Sequence, residues 1–337
     1  MANDESVDEG VPPGGLREWV MRTGVTTRTI TLRSGERYSF AREALDDTVR
    51  QVESRFIPMA VEHLSYLPPL GRIYRAEVVE DDTGHADLIF RARELHRRRS
   101  RDLTLREIPV DGEPNQPDID LQLSAEPRNF EPADWEELTE TAPIQLRHTA
   151  AWSELPPLIW ILSSIVTWGV GEFAKAFVAR FGENFADRLP SWLVAAGKKA
   201  KDSDRHNLLE FRFETSLGIL VTAYIPFDPQ AADAVEKLRD GLDGLGAVGD
   251  FAGYVNQGGG EDLQLAAFIF DSGEFRLAWW ASPDTAYVSP WFERHYPDPT
   301  LFLGRPVLAP KEEDDQEVRE LPVPEQPRAA RRQPHGS

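Results

Sequence analysis

Apolar and polar positions alternate with different periods along the chain, and the changes of period predict its elements. Thr26 to Arg33 has Ile30 and Leu32 on one face, the two-residue period of a half-buried strand. Ser34-Gly35-Glu36 supplies a turn leading to Tyr38 and Phe40. Ala41 to Phe56 switches to a helical period, with Ala44, Leu45, Val49 and Val52 on one side. Arg72 to Glu80 and His85 to Ala92 predict two strands joined at Asp81-Asp82-Thr83-Gly84, residue types that accept tight-turn geometry. Ile119, Leu121 and Leu123 alternate with Asp118, Asp120 and Gln122 as a further strand. Pro132 to Thr141 predicts a short helix carrying Trp135 and Leu138, and Ile144 to Ala150 a strand.

The second half opens on fourteen uncharged residues, Leu158 to Gly171. A membrane-spanning helix needs about 20, so the run predicts a long buried helix. Ile161, Ile165, Gly169, Phe173, Phe177, Phe181 and Phe185 recur along it every four residues. Pro190 should end or kink it, and Ser191 to Lys201 forms a second, shorter helix. Period two then returns. Leu209, Phe211 and Phe213 face one way, Glu210, Arg212 and Glu214 the other, and Ile219 to Ile225 runs back. Asp228-Pro229 opens a helix with Val235, Leu238 and Leu242 on one face. The glycines from Gly241 to Gly260 read as a mobile connector. Leu263 to Phe270 and Phe275 to Ala281 make a second hairpin about Asp271-Ser272-Gly273-Glu274.

The expected class is α+β in two parts. Residues 25–152 form a β-rich α+β domain. Residues 153–304 form a domain of helix, hairpin, helix and hairpin, with the long apolar helix and a four-stranded antiparallel sheet. Residues 1–24 read as a disordered acidic tail in which Leu16, Trp19, Val20 and Met21 could dock onto a partner or the body. Residues 305–337 read as a second disordered tail, acidic from Lys311 to Glu320 and then Pro/Arg-rich.

Composition narrows the function classes. The formal net charge is -20, a field that argues against nucleic acid and anionic lipid as main partners. The chain has no cysteine, which excludes disulfides, thiolate metal sites and cysteine nucleophiles. The N-terminus has no secretory signal pattern, so a cytoplasmic location is expected. Arginine outnumbers lysine 31 to 6, the skew of a GC-rich bacterial genome.

Candidate chemistry is sparse. Phe56-Ile57-Pro58-Met59, His63, Pro68-Pro69-Leu70-Gly71-Arg72 and the Asp81 to Gly84 turn together resemble the prohead protease family of tailed phages. The resemblance covers residues 56–92 and implies a serine peptidase with His63 as base. The family's nucleophile stands in a Ser-apolar-Gly context, which this chain does not match. Ser124, in Leu123-Ser124-Ala125-Glu126, is the nucleophile this reading would use. A loop histidine beside a Pro-rich turn is the simpler account.

His96-Arg97-Arg98-Arg99-Ser100-Arg101 is the dense positive cluster, and Arg97, Arg98, Arg99 and Arg101 are candidate anion binders. It lacks interleaved aromatics for base stacking, and a solvated hairpin end, or a patch for the chain's own acidic tail, is the simpler account. Trp168-Gly169-Val170-Gly171 lacks the preceding strand of a phosphate-binding loop and reads as close helix packing. The histidines, at 63, 85, 96, 148, 206, 295 and 335, have no helical ligand spacing, so no metal or cofactor is expected. Trp279, Trp280, Trp291, Phe292 and Tyr296 crowd one stretch. They form either a protein contact surface or an arm pinned over the sheet.

The reading that follows is a non-enzymatic accessory or adaptor that binds another protein through those aromatics. The alternatives are the His63/Ser124 peptidase and a peripheral membrane protein attached through residues 158–181.

Overall fold

The computed structural model describes residues 16–31, 37–59, 66–100, 105, 122–125, 127–148, 158–166, 188–201, 207–258 and 262–295. Its elements run β1 (Glu18–Thr26), β2 (Ile30–Thr31), β3 (Arg37–Tyr38), α1 (Arg42–Ser54), β4 (Ile57–Met59), β5 (Gly71–Glu80), β6 (Ala86–Glu94) and β7 (His96–Arg99). There follow β8 (Gln122–Ala125), α2 (Pro132–Thr141), β9 (Leu146–His148), β10 (Leu158–Val166), α3 (188–198), β11 (Asn207–Thr215) and β12 (Leu220–Phe227). The last are α4 (Ala234–Asn256), β13 (Leu265–Asp271), β14 (Glu274–Ala281), β15 (Thr285–Val288) and α5 (Pro290–His295). The class is mixed α and β. The chain divides into two compact units: residues 16–100 with 279–295, and residues 105–278.

In the first unit an antiparallel sheet has the order β1-β6-β5-β4. Alternate residues of the β5–β6 hairpin point at α1, where Leu45, Val52, Ala76, Ala86 and Leu88 form a buried cluster joined by Ile73, Val78 and Phe90. The opposite parity carries Arg72, Arg75, Glu77, Asp87, Arg91 and Arg93, the polar face of a one-sided sheet. The hairpin and α1 stand where the periodicity predicts them. Residues 18–24 do not form a tail: they belong to β1, which pairs with β6 from Glu18↔Arg93 to Arg22↔Ile89. Its apolar residues Trp19, Val20 and Met21 are half-buried there, so the short motif docks onto its own body.

The second unit holds a mixed sheet in the order β13-β12-β11-β10-β8-β9. β11 is antiparallel to β12, but β10 is parallel to β11 and β12 parallel to β13. A four-stranded antiparallel sheet is therefore not what forms. The segment Leu158–Val166 is strand β10, not the start of a long helix. It pairs with β8 over Ile161 to Ser163 on one edge and with all of β11 on the other, so the sheet takes up its backbone groups along the whole β11 side and at the centre of the other. A short apolar run rich in Ile and Val suits a central strand as well as a buried helix, and periodicity does not separate the two. The remainder of the predicted helix, 167–187, lies outside the described residues. Pro190 does not end the helix that follows, since α3 runs through it.

Trp160 of β10 is fully buried. Its indole Nε1 donates to Asn207 Oδ1 at 3.3 Å, and its ring meets Trp192 edge-on at 5.3 Å and Phe130 at 5.7 Å.

The glycine-rich stretch is likewise not a connector. Helix α4 runs through it to Asn256 and packs on β11 and β12. A Cβ at Gly241 would lie 2.7 Å from Ile225 Cδ1 and 2.9 Å from both its γ carbons. Glycine lowers helix propensity by roughly 1 kcal/mol, and here close approach of helix to sheet outweighs that. Leu238, Leu245, Val248, Phe251, Ala252 and Val255 fill the same buried side.

Candidate functional site

Four consecutive basic residues do not build a strand by hydrophobic pattern. β7 forms because its backbone pairs in parallel with β15: His96 N–H donates to Asp284 O at 3.0 Å and Ser100 N–H to Val288 O at 2.8 Å. The register is Thr285↔His96, Ala286↔Arg97, Tyr287↔Arg98 and Val288↔Arg99. The arginine run and the aromatic stretch, nearly 190 residues apart in sequence, thus lie side by side in the first unit.

The aromatic members turn inward. Trp280 opposes Tyr287 across β14 and β15 and stacks on it at 4.0 Å with planes 10° apart. Trp279 Nε1 donates to Tyr66 O at 2.9 Å. Trp279, Trp280, Trp291 and Phe292 are 2%, 1%, 4% and 2% exposed. As a contact surface they are corrected: they are core of the first unit, buried because each ring gains more from packing than from water. Tyr296 lies outside the described residues.

The arginines divide. Arg98 and Arg99 are exposed, and Arg99 Nε donates to Glu293 Oε2 at 3.1 Å. Arg97 is half-buried, with Nη2 enclosed and without a hydrogen-bond acceptor. Burial lowers its pKa, with Glu94 and Glu293 opposing the shift. Arg101 lies outside the described residues. Among the described residues β7 is an end strand of its sheet, so alternate backbone groups face away from β15.

His63 also lies outside the described residues. Ser124 is half-buried on β8, with Ile161 and Arg147 as its register neighbours. Neither can act as a general base. For the membrane reading, residues 158–166 belong to β10 and 167–181 lie outside the described residues. Among the described residues no helix is long and apolar enough to cross a membrane. No group of three or more His, Asp or Glu among them is placed to hold a metal.

A feature of the second unit escaped the pattern of the sequence. Glu210 is 1% exposed and accepts from Arg212 Nε at 2.7 Å. Burial works against the Arg212 cation, but the Glu210 carboxylate outweighs it and its pKa is raised. The signal for a covered carboxylate was in β12, which has no charged residue on either parity: Val221, Ala223, Ile225 and Phe227 on one, Leu220, Thr222, Tyr224 and Pro226 on the other. A shallow cleft of about 300 Å³ in this unit is lined by Thr141, Pro143, Arg188, Ser191 and Trp192. Trp192 Nε1 donates to Thr141 Oγ1 across it at 3.2 Å, and the described residues of the lining include no carboxylate.

No family model, no curated protein and no solved structure matches the chain.

Proposed function

We propose that the protein is a non-enzymatic accessory that binds another protein, and that its contact is the basic edge of the first unit. The observation that supports this is β7: an end strand with Arg98 and Arg99 exposed, in a chain of net charge -20. An end strand offers backbone donors and acceptors to an added strand, and its side chains select the partner's charge. Arginines at that edge favour an acidic extended segment. The buried aromatics beside them hold the strand in place and are not themselves the contact.

The test is affinity purification from the native host with mass spectrometry, comparing the wild type with an Arg98→Glu/Arg99→Glu variant of unchanged circular dichroism. A partner retained by the wild type and lost by the variant supports the reading. Equal recovery by both, or no stable partner for either, refutes it.

A further inference from the structure

Arg72 and Arg93 are register partners across β5 and β6 on the face turned away from α1. Like charges directly opposite one another weaken a strand pair unless an anion lies between them. One carboxylate serves both. Asp284, in the short β14–β15 turn, accepts from Arg93 Nη2 and, at 3.4 Å, pairs with Arg72 Nη2. Its side chain is 59% exposed, against 24% and 31% for the two arginines.

Charge and hydrogen bonding are both left incomplete there. Two guanidinium groups face one carboxylate, and the Nε of each arginine is enclosed without an acceptor. Burial and the neighbouring Arg93 lower the pKa of Arg72, against the pull of Asp284. Among the described residues the surrounding groups do not close the gap. Arg91 and Arg75 both pair with Glu77, and Glu18, opposite Arg93 on β1, is exposed. A register shift between Ile73 and Arg75 brings in Tyr74, as bulges do when they re-aim a side chain. Its ring lies 5.8 Å from the Arg93 guanidinium carbon.

We infer that Arg72 and Arg93 form a receptor for one phosphate group, free or carried as a monoester, for which Asp284 is the internal competitor. With Asp284 swung to solvent two positive charges remain, matching the dianion. The forked donors of two arginines suit tetrahedral phosphate oxygens. Tyr74 adds an apolar wall beside the position an ester group would take. The site adjoins β7, since Asp284 O accepts from His96 N–H, but it uses neither Arg98 nor Arg99 and does not rest on the proposed protein contact.

The test is titration of the full chain with inorganic phosphate, phenyl phosphate and acetate at constant ionic strength, following the Arg Nε–Hε resonances. Phosphate should shift the Arg72 and Arg93 signals saturably. Phenyl phosphate binding more tightly than phosphate would mark a monoester as the source, and the reverse order free phosphate. Asp284→Asn should tighten binding several-fold, a gain that a purely structural role for the cluster would not produce. Arg93→Gln should weaken it at least about tenfold. Should Arg93→Gln fail to fold, Arg72→Lys/Arg93→Lys keeps the charge and loses the forks, and weaker phosphate binding by it serves instead. Linear shifts without saturation, acetate binding as tightly as phosphate, an unchanged Asp284→Asn, or undiminished binding by the lysine variant would each overturn the assignment.

Discussion

β6 of the first unit and β11 of the second both carry alternating apolar and charged residues, yet they live in different surroundings. In β6, Ala86, Leu88 and Ala92 are buried while Asp87, Arg91 and Arg93 reach partly into water. In β11 both parities are covered from Asn207 to Phe211, and Glu210 is as buried as Phe211. The first unit therefore carries its ion pairs near solvent: Arg91 with Glu77 on the charged face, Arg28 with Asp81 at the hairpin turn and Arg42 of α1 with Glu80. The second is held by large rings and by helix α4 pressed on the sheet. Alternation marks a strand, but only the covering layers decide whether its polar face meets water. Substitutions should thus act through packing in the second unit and through ionisation in the first.

The largest effect is expected at Trp160. Removing a fully buried indole that touches Phe130 and Trp192 and donates to Asn207 creates a cavity and removes that hydrogen bond. Trp160→Ala should cost about 3–5 kcal/mol, read as a lowered urea midpoint. A loss below about 1 kcal/mol would mean that β10 is not a core strand, and the contrast between the units would fail.

The Glu210–Arg212 pair comes next and tests covering on both faces directly. Arg212→Met leaves a carboxylate in the interior and should cost up to about 3 kcal/mol. Glu210→Ala leaves a cation whose side chain is 39% exposed and so keeps solvent, and about 1 kcal/mol is expected. The asymmetry is the measurement. Equal costs in urea unfolding would show that the polar face of β11 is as wet as that of β6.

These two sites also mark how far the sequence could be read. The Arg72–Ala92 hairpin was legible from its turn, α1 from its helical period, and α2 from Pro132 at its start. β10 was not, because a nine-residue apolar strand and a buried helix share a composition. The start of α4, with Val235, Leu238 and Leu242, was legible, but its run through the glycines to Asn256 was not, because glycine propensity is local while the reason for Gly241 is Ile225 on another element. The first unit joins residues near 96 to residues near 287 by backbone pairing, and side-chain pattern carries no trace of that. Of the candidate site, the two residue sets were visible. Their adjacency, and the inward turn of Trp279, Trp280, Trp291 and Phe292, required the fold.

A matched pair on α4 is expected to give a smaller effect of opposite signs. Alanine adds helix propensity worth about 1 kcal/mol at either glycine. At Gly241 the new methyl would press on three atoms of the branched, buried Ile225 side chain, and overpacking of about 1–3 kcal/mol should win. At Gly244 the nearest neighbour is the edge of the Phe275 ring, Cε2 at 3.3 Å, a tight contact that a ring shift of a few tenths of an ångström relieves, so the propensity gain should at least offset it. Gly241→Ala should lower the thermal midpoint and Gly244→Ala hold or raise it. Two shifts of the same sign would remove close helix-to-sheet packing as the reason for glycine here.

The smallest effect belongs to the first unit and separates the two by pH. Asp81 Oδ1 accepts from Thr83 Oγ1 at 2.6 Å, Thr83 N–H at 2.9 Å and His85 N–H at 3.0 Å, while Oδ2 pairs with Arg28. The Thr83 hydroxyl is the main cause that lowers its pKa from 3.8 to about 2, with the backbone donors and Arg28 adding to it. A carboxyl whose pKa is lower folded than unfolded binds its proton more readily in the unfolded chain. It therefore stabilises the fold in full above about pH 4, and that contribution fades as pH falls towards 2. Asp81→Ala should exchange the β5–β6 hairpin amides faster than wild type at neutral pH. The two proteins should converge between about pH 4 and pH 2, once intrinsic exchange rates are divided out. The amides of β11 and β12, whose turn at Ser216–Gly218 has no such carboxylate cap, should show no difference between the two proteins at any pH. Convergence of the hairpin amides above pH 5, or an equal response in β11, would mean that ionisation does not distinguish the units.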